Sequence, residues 1–74
     1  MNEIKKIISI ISPCYNESKG IYECHNEIKK IFSKELIDYN YEHIFCDNSS
    51  KDDSIKILRE IAKKDKNVKV IINA

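Results

Sequence analysis

The hydrophobic and polar positions of this chain change period repeatedly, and each change marks a predicted element. Ile7-Ile8-Ser9-Ile10-Ile11-Ser12 is a short, β-branched run that does not alternate strictly. Such a run suits a strand buried on both faces of a parallel sheet. Pro13 has no backbone N–H, so the ladder is expected to stop there and the chain to leave the sheet. From Ser18-Lys19-Gly20 onward, Ile21, Cys24, Ile28, Ile31, Phe32 and Leu36 recur at three- and four-residue steps. Glu23, Glu27, Lys29, Lys30 and Lys34 fall between them, so the stripe predicts an amphipathic helix of about four turns.

Asp38-Tyr39-Asn40 is a turn, and residues 41–46 read as a second strand with bulk from Tyr41, Ile44, Phe45 and Cys46. Asp47-Asn48-Ser49-Ser50 stops it, because these residues favour loops and caps. Ser50-Lys51-Asp52-Asp53 has the layout of a capping box, with Ser50 and Asp53 expected to satisfy the first N–H groups of the next helix. That helix shows Ile55, Leu58, Ile61 and Ala62 on one face and ends near Lys64. Residues 68–72 form a third strand after a turn at Lys66-Asn67.

Strand, helix, strand, helix, strand is the order of an α/β fold with a three-stranded parallel sheet and right-handed crossovers. If both crossovers step the same way, both helices cover one sheet face. The other face then shows Ile, Val and Phe to water, as in the first half of a doubly wound domain. An exposed apolar face is an association surface, so a homo-oligomer is expected. With 74 residues there is one domain at most, and a core of this size rarely supplies more than about 3–5 kcal/mol of net stability.

Composition narrows the classes. No apolar stretch approaches the roughly 20 residues of a spanning helix. Met1-Asn2-Glu3 lacks the layout of a secretory leader, which points to the cytoplasm, with membrane attachment only through segments outside this sequence. The formal net charge is +1 and charges of both signs are interspersed along the chain, which leaves no basic stripe for nucleic acid. Cys14, Cys24 and Cys46 fit no disulfide framework or paired metal spacing, and Cys46 is expected in the core. Cys24 and His25, adjacent on a helix, point roughly 100° apart and make a poor ligand pair.

Chemistry is concentrated in the two loops that follow strands one and two. One offers Tyr15, Asn16 and Glu17, the other Asp47, Asn48, Ser49 and Ser50. Neighbouring strands bring such loops together at the carboxyl edge, where open α/β sheets bind ligands. A phenol beside a carboxylate and hydroxyls suits a nucleotide base, the ring stacking on it and the Asp accepting from its ring N–H. Helix N-termini behind both loops would favour phosphate. The same residues also serve as ordinary turn and cap chemistry. The sole glycine, Gly20, rules out the Gly-rich dinucleotide and P-loop fingerprints. His25 and His43 have no nucleophile at a matched position, which leaves little for a hydrolase.

Residues 8–17 (ISIISPCYNE) and 41–54 (YEHIFCDNSSKDDS), continued by residues 57–65 and the strand at 68–71, resemble the N-terminal part of family-2 glycosyltransferases. The flavour is that of the dolichol-phosphate mannose synthase and bactoprenol glucosyltransferase branch. The resemblance implies a partial, Rossmann-like GT-A domain, truncated after the third strand. It also implies transfer of a hexose with inversion from a UDP- or GDP-sugar donor, with polyprenyl phosphate as an acceptor of that branch. It places Pro13, Tyr15, Glu17, Asp47 and Ser49 around the nucleotide-sugar. Asn48 replaces the second of two consecutive Asp residues in the commonest form. The family's Asp-x-Asp motif for Mg²⁺ or Mn²⁺ and its general base follow later strands. The full-length enzyme is therefore expected to use the metal, and these 74 residues to bind none and to hold no catalytic residue. The competing expectation is a non-catalytic α/β module that self-associates. A phosphorylatable receiver domain ranks lower, since Pro13-Cys14-Tyr15 and Asn73-Ala74 stand where it needs acidic residues.

Overall fold

The computed structural model describes residues 5–16 and 18–73. The element order is β1 (Ile7–Cys14), α1 (Ser18–Lys34), β2 (Asn40–Asn48), α2 (Ser54–Lys64) and β3 (Val68–Asn73). The three strands form one parallel sheet in the order β1-β2-β3. This is the α/β alternation read from the sequence. The expected fraying of the first residues and the site role of Glu17 lie outside the described residues.

The two helices touch each other and pack on one face of the sheet. Ile21 and Cys24 of α1 and Ile57, Leu58, Ile61 and Ala62 of α2 close over Cys14, Phe45, Val68 and Val70. Phe45, 1% exposed, and Leu58, wholly buried, form the centre of this core. At the amino end of the sheet the rings of Phe32 and Tyr41 stack at 4.2 Å. His25 Nε2 lies 2.8 Å from Asp65 Oδ2 and ties α1 to the end of α2. Burial raises the Asp65 carboxyl pKa, but hydrogen bonds from His25 and the Asn67 N–H outweigh it and leave the pKa below the usual value.

Three expectations are corrected here. First, β1 is not buried on both faces. Its residues alternate, with Ile7 67% and Ile11 65% exposed, because among the described residues helices cover only one side. Cys46 belongs to that uncovered face too, in register with Pro13 and Ile71, and is half-buried rather than in the core.

Second, Pro13 does not end the ladder, since β1 continues to Cys14. The Asn40 N–H donates to the Lys6 carbonyl. By the two-residue alternation of a strand, even-numbered residues of β1 then turn their amides to β2 and odd-numbered ones turn theirs to the open edge. Pro13 therefore lacks a donor only where no strand asks for one, the position a sheet tolerates.

Third, β2 runs through Asp47 and Asn48, two residues past the expected stop. The uncovered face is not uniformly apolar. Glu42 accepts from Ser9 Oγ at 2.7 Å and from Lys69 Nζ at 2.8 Å, a polar rung across all three strands.

Candidate functional site

Tyr15 and Asp47 enter the site from adjacent strand ends, since Cys14 and Asp47 are register partners and Tyr15 is the next residue along. Tyr15 is 55% exposed and stands clear of the fold. Asp47 is wholly buried on the helix side. Its Oδ2 accepts the Ser50 N–H at 2.9 Å, and its Oδ1 accepts the Ser50 hydroxyl in a short hydrogen bond. A carboxyl group buried this deeply needs such hydrogen bonds to offset its lost hydration. Here Asp47 shapes the β2–α2 turn from inside.

That turn is stitched to the β1–α1 loop. The Asn16 N–H donates to Ser50 Oγ at 2.9 Å. Asn16 Oδ1 accepts the Lys51 N–H at 2.7 Å and the Asp52 N–H at 3.4 Å. Asp52 in turn accepts from Ser18 N at 3.2 Å and Ser54 N at 2.9 Å, the first residues of α1 and α2. Asn16 and Ser49 both adopt the left-handed backbone region, with φ of 49° and 55°. Asn is among the few residues that enter it readily. Ser49 Oγ donates to the Asn73 carbonyl at 2.7 Å, and Asn73 Nδ2 to Asn48 Oδ1 at 3.1 Å, so the second loop is fixed to β3 as well.

The expected capping box does not form. Asp53 is the N-cap of α2 without a side-chain cap bond, and Ser50 turns to Asp47 and Asn16. Asp52 takes the capping duty. Hydrogen bonding from Ser54, with desolvation opposing it, and then from Ser18 brings the Asp52 carboxyl pKa down to about 2. Asp52 and Asn16 are the residues that sequence reasoning underrated. The available signal was an Asp two residues before a Ser at a helix start, and an Asn two residues after a strand end.

Of the residues expected to meet the donor, Tyr15, Asp47 and Ser49 lie along this one edge. Pro13 sits on the sheet face opposite the Asp47 carboxylate, since it pairs with Cys46 while Cys14 pairs with Asp47. Asp47 is committed to Ser50, and Asp52 to two backbone N–H groups. Among the described residues no group of three His, Cys, Asp or Glu side chains is placed to hold a metal ion. Cys24 and His25 diverge, one toward Ser12 and the other toward Asp65.

His43 does have hydroxyl and thiol neighbours, contrary to the expectation. Ser12 Oγ lies 2.9 Å from its Nε2 and Cys24 Sγ 4.0 Å away. The ring is wholly buried under α1, and among the described residues its Nδ1 has no partner to orient it for catalysis. This is polar core packing. Burial and then the nearby charge of His25 hold the His43 pKa below its ordinary value, against the pull of Asp65. Below about pH 6.5 the unfolded chain takes up a proton that the folded chain refuses. Stability is therefore full above that pH and falls as pH drops toward the folded pKa. Urea denaturation should show the loss, at most about 1.4 kcal/mol per pH unit from this group. His43→Gln should flatten the slope between about pH 7.5 and about pH 5.5.

Residues 9–74 match the family described as glycosyl transferase family 2. The chain is similar to the uncharacterized glycosyltransferase YkcC of Bacillus subtilis, 41% identical over 63 residues, which is 85% of this chain and 19% of that protein. It is 37% identical over 65 residues to the putative glycosyltransferase CsbB of the same organism, covering 88% of this chain and 19% of CsbB. A third relative is from Methanococcus voltae, a dolichyl N-acetyl-alpha-D-glucosaminyl phosphate 3-beta-D-2,3-diacetamido-2,3-dideoxy-beta-D-glucuronosyltransferase. It is 34% identical over 68 residues, 89% of this chain and 20% of that protein. The chain thus spans about a fifth of the length of these relatives.

Proposed function

This chain belongs to glycosyl transferase family 2, and from that premise we propose that its paired loops form the nucleoside end of a nucleotide-sugar donor site. The observation that supports this most directly is the hydrogen-bonded seam from Asn16 to Ser50 and Lys51. It fixes an exposed aromatic, Tyr15, beside the strand end that carries Asp47. A preorganised aromatic platform at a sheet's carboxyl edge can stack a base without first ordering a loop. Asp47 would accept from the base after giving up one of its two bonds to Ser50, and Ser49 would border the ribose side.

On this reading the parent protein transfers a hexose from a UDP- or GDP-sugar with inversion. A polyprenyl phosphate-linked acceptor is part of the proposal, in keeping with the dolichyl phosphate in the name of the Methanococcus relative. So are a cytoplasmic donor site and any membrane attachment outside these residues. Among the described residues no helix is long and apolar enough to cross a membrane. We place the general base and the groups that neutralise the leaving diphosphate outside these 74 residues, so that this chain binds the donor and does not turn it over. Titrating UDP and GDP while following Tyr15 and Asp47 by NMR tests the claim. Shifts at both are expected, and their absence at millimolar nucleotide would remove it.

A second reading, self-association, has its own support. Ile7, Ile11 and Ile71 are 67%, 65% and 50% exposed on the uncovered sheet face. Light scattering should report dimers or larger species at high concentration, and Ile11→Lys should shift them to monomers. Monomers of the unaltered chain at every concentration would exclude it.

A further inference from the structure

The two helices are not held on the sheet in the same way. α2, 11 residues long, lays Leu58 and Ile61, with Ile57 and Ala62 beside them, on Phe45, Val68 and Val70. α1 is 17 residues long, yet among the described residues only its Ile21 and Phe32 are buried. Between those two anchors its underside is polar. Cys24 Sγ meets Ser12 Oγ at 3.7 Å and His43 Nε2 at 4.0 Å, and Ser12 Oγ lies 2.9 Å from the same nitrogen. His43 stands on the central strand, in register with Ile10 and Val68, and is wholly buried. We propose that α1 is the releasable element of this fold. Protonation of His43 opens it away from the sheet, and with it the Tyr15 loop that leads into it, while α2 and the three strands stay packed. The consequence for Tyr15 rests on the donor reading above; the opening of α1 does not.

A neutral imidazole carries one N–H and one bare nitrogen, and a protonated one carries two donors. Nε2 of His43 has Ser12 Oγ as a partner, while Nδ1 has none among the described residues. An added proton therefore leaves a buried cation with a buried donor unsatisfied, which costs more than either alone. The ring cannot leave with its strand, because the His43 amide is tied to the Asn67 carbonyl at 2.8 Å. What can move is its cover. The titratable groups facing it are the Cys24 thiol and His25 from α1 and Asp65 from the end of α2, while β1 supplies only the Ser12 hydroxyl. Asp65 favours the charged ring, but its carboxylate is engaged by His25 Nε2 at 2.8 Å and by the Asn67 N–H at 3.0 Å. Burial and His25 prevail and keep the covered ring neutral. Water reaches the ring once α1 lifts, so acid favours the open arrangement below about pH 6.5. α1 begins at Ser18, three residues after Tyr15, so the loop bearing the phenol loses one of its fixed ends in that arrangement.

Hydrogen exchange followed by NMR on the 74-residue chain, corrected for intrinsic rates, decides it without an activity assay. At pH 6.5 the Cys24, Ile28 and Phe32 amides of α1 should be protected at least about 10-fold less than those of Ile61 and His43. From pH 6.5 to pH 5.5 the α1 protection should fall by up to about 10-fold, the effect of one proton. His43→Gln, which keeps a polar side chain and removes the charge, should abolish that fall. His25→Gln should loosen α1 already at pH 7.5 and leave the acid dependence in place. Uridine, which carries no phosphate to titrate, should at about ten times its dissociation constant slow exchange in α1 by about 10-fold. Equal protection of the α1 and Ile61 amides in the unaltered chain would overturn the proposal, an outcome that needs no variant to fold. An acid dependence that survives in His43→Gln, or that vanishes in His25→Gln, would overturn it too. Uridine that binds without slowing α1 exchange would refute the coupling to the Tyr15 loop. If uridine does not bind, the donor reading fails while the protection and pH results still judge α1.

Discussion

Phe45→Ala is expected to leave the chain largely unfolded at room temperature. Phe45 lies mid-way along the central strand, 1% exposed, among Cys14, Ile21, Leu58, Ile61 and Val68, with the His43 ring 4.1 Å away. Removing a buried Phe side chain costs about 3–5 kcal/mol, from lost transfer free energy and the cavity left behind. A core of this size rarely supplies more than about 3–5 kcal/mol in total. The two figures meet, so circular dichroism should show loss of helix and no cooperative urea transition. Ile11→Ala is the matched control on the uncovered face. With Ile11 65% exposed, its loss should change stability by no more than about 0.5 kcal/mol. Equal effects from the two substitutions would show that the helix-covered side is not what holds the fold.

The second large effect is on binding. Tyr15→Ala should cut affinity for a uridine or guanosine nucleotide by about 10- to 100-fold, the worth of one base stacked on an aromatic ring. Stability should stay within about 0.5 kcal/mol, because the ring is exposed and no buried group depends on it. Asp47→Asn should behave differently, losing binding and stability together, since Asp47 holds Ser50 from a wholly buried position. Calorimetric titration beside urea melts separates the two cases. A Tyr15→Ala chain that binds as tightly as the unaltered one would dissociate the exposed phenol from the site.

Periodicity made the element order readable. Helical spacing from Ile21 to Phe32 and from Ile55 to Ala62, and β-branched runs between, needed no tertiary information. What the pattern did not carry was where each strand stops and which side chain caps which helix. Asp47 looks like a loop residue by propensity, yet it is the buried last rung but one of β2, because Ser50 folds back to satisfy it. Asp52 rather than Ser50 or Asp53 caps α2, since the competition is settled by Asn16 and Ser18, residues 34 to 36 positions away in the chain. Local propensity has no access to a partner at that distance. The Ile-rich β1 misled in another way. Its composition suits two covered faces, and the described residues cover one.

The placement of Pro13 bears on how copies of this chain would polymerise. Ile7, Ser9 and Ile11 direct their amides outward along β1, the kind of unpaired row on which an incoming strand of another molecule can grow a fibril. At Pro13 that row loses a donor, next to the end of the strand where Tyr15 emerges. Proline at such a point is a gatekeeper: stacking that begins at Ile7 runs out of rungs before it can bury the phenol. The edge is thus blunted against cross-β growth at the end where a ligand would have to enter.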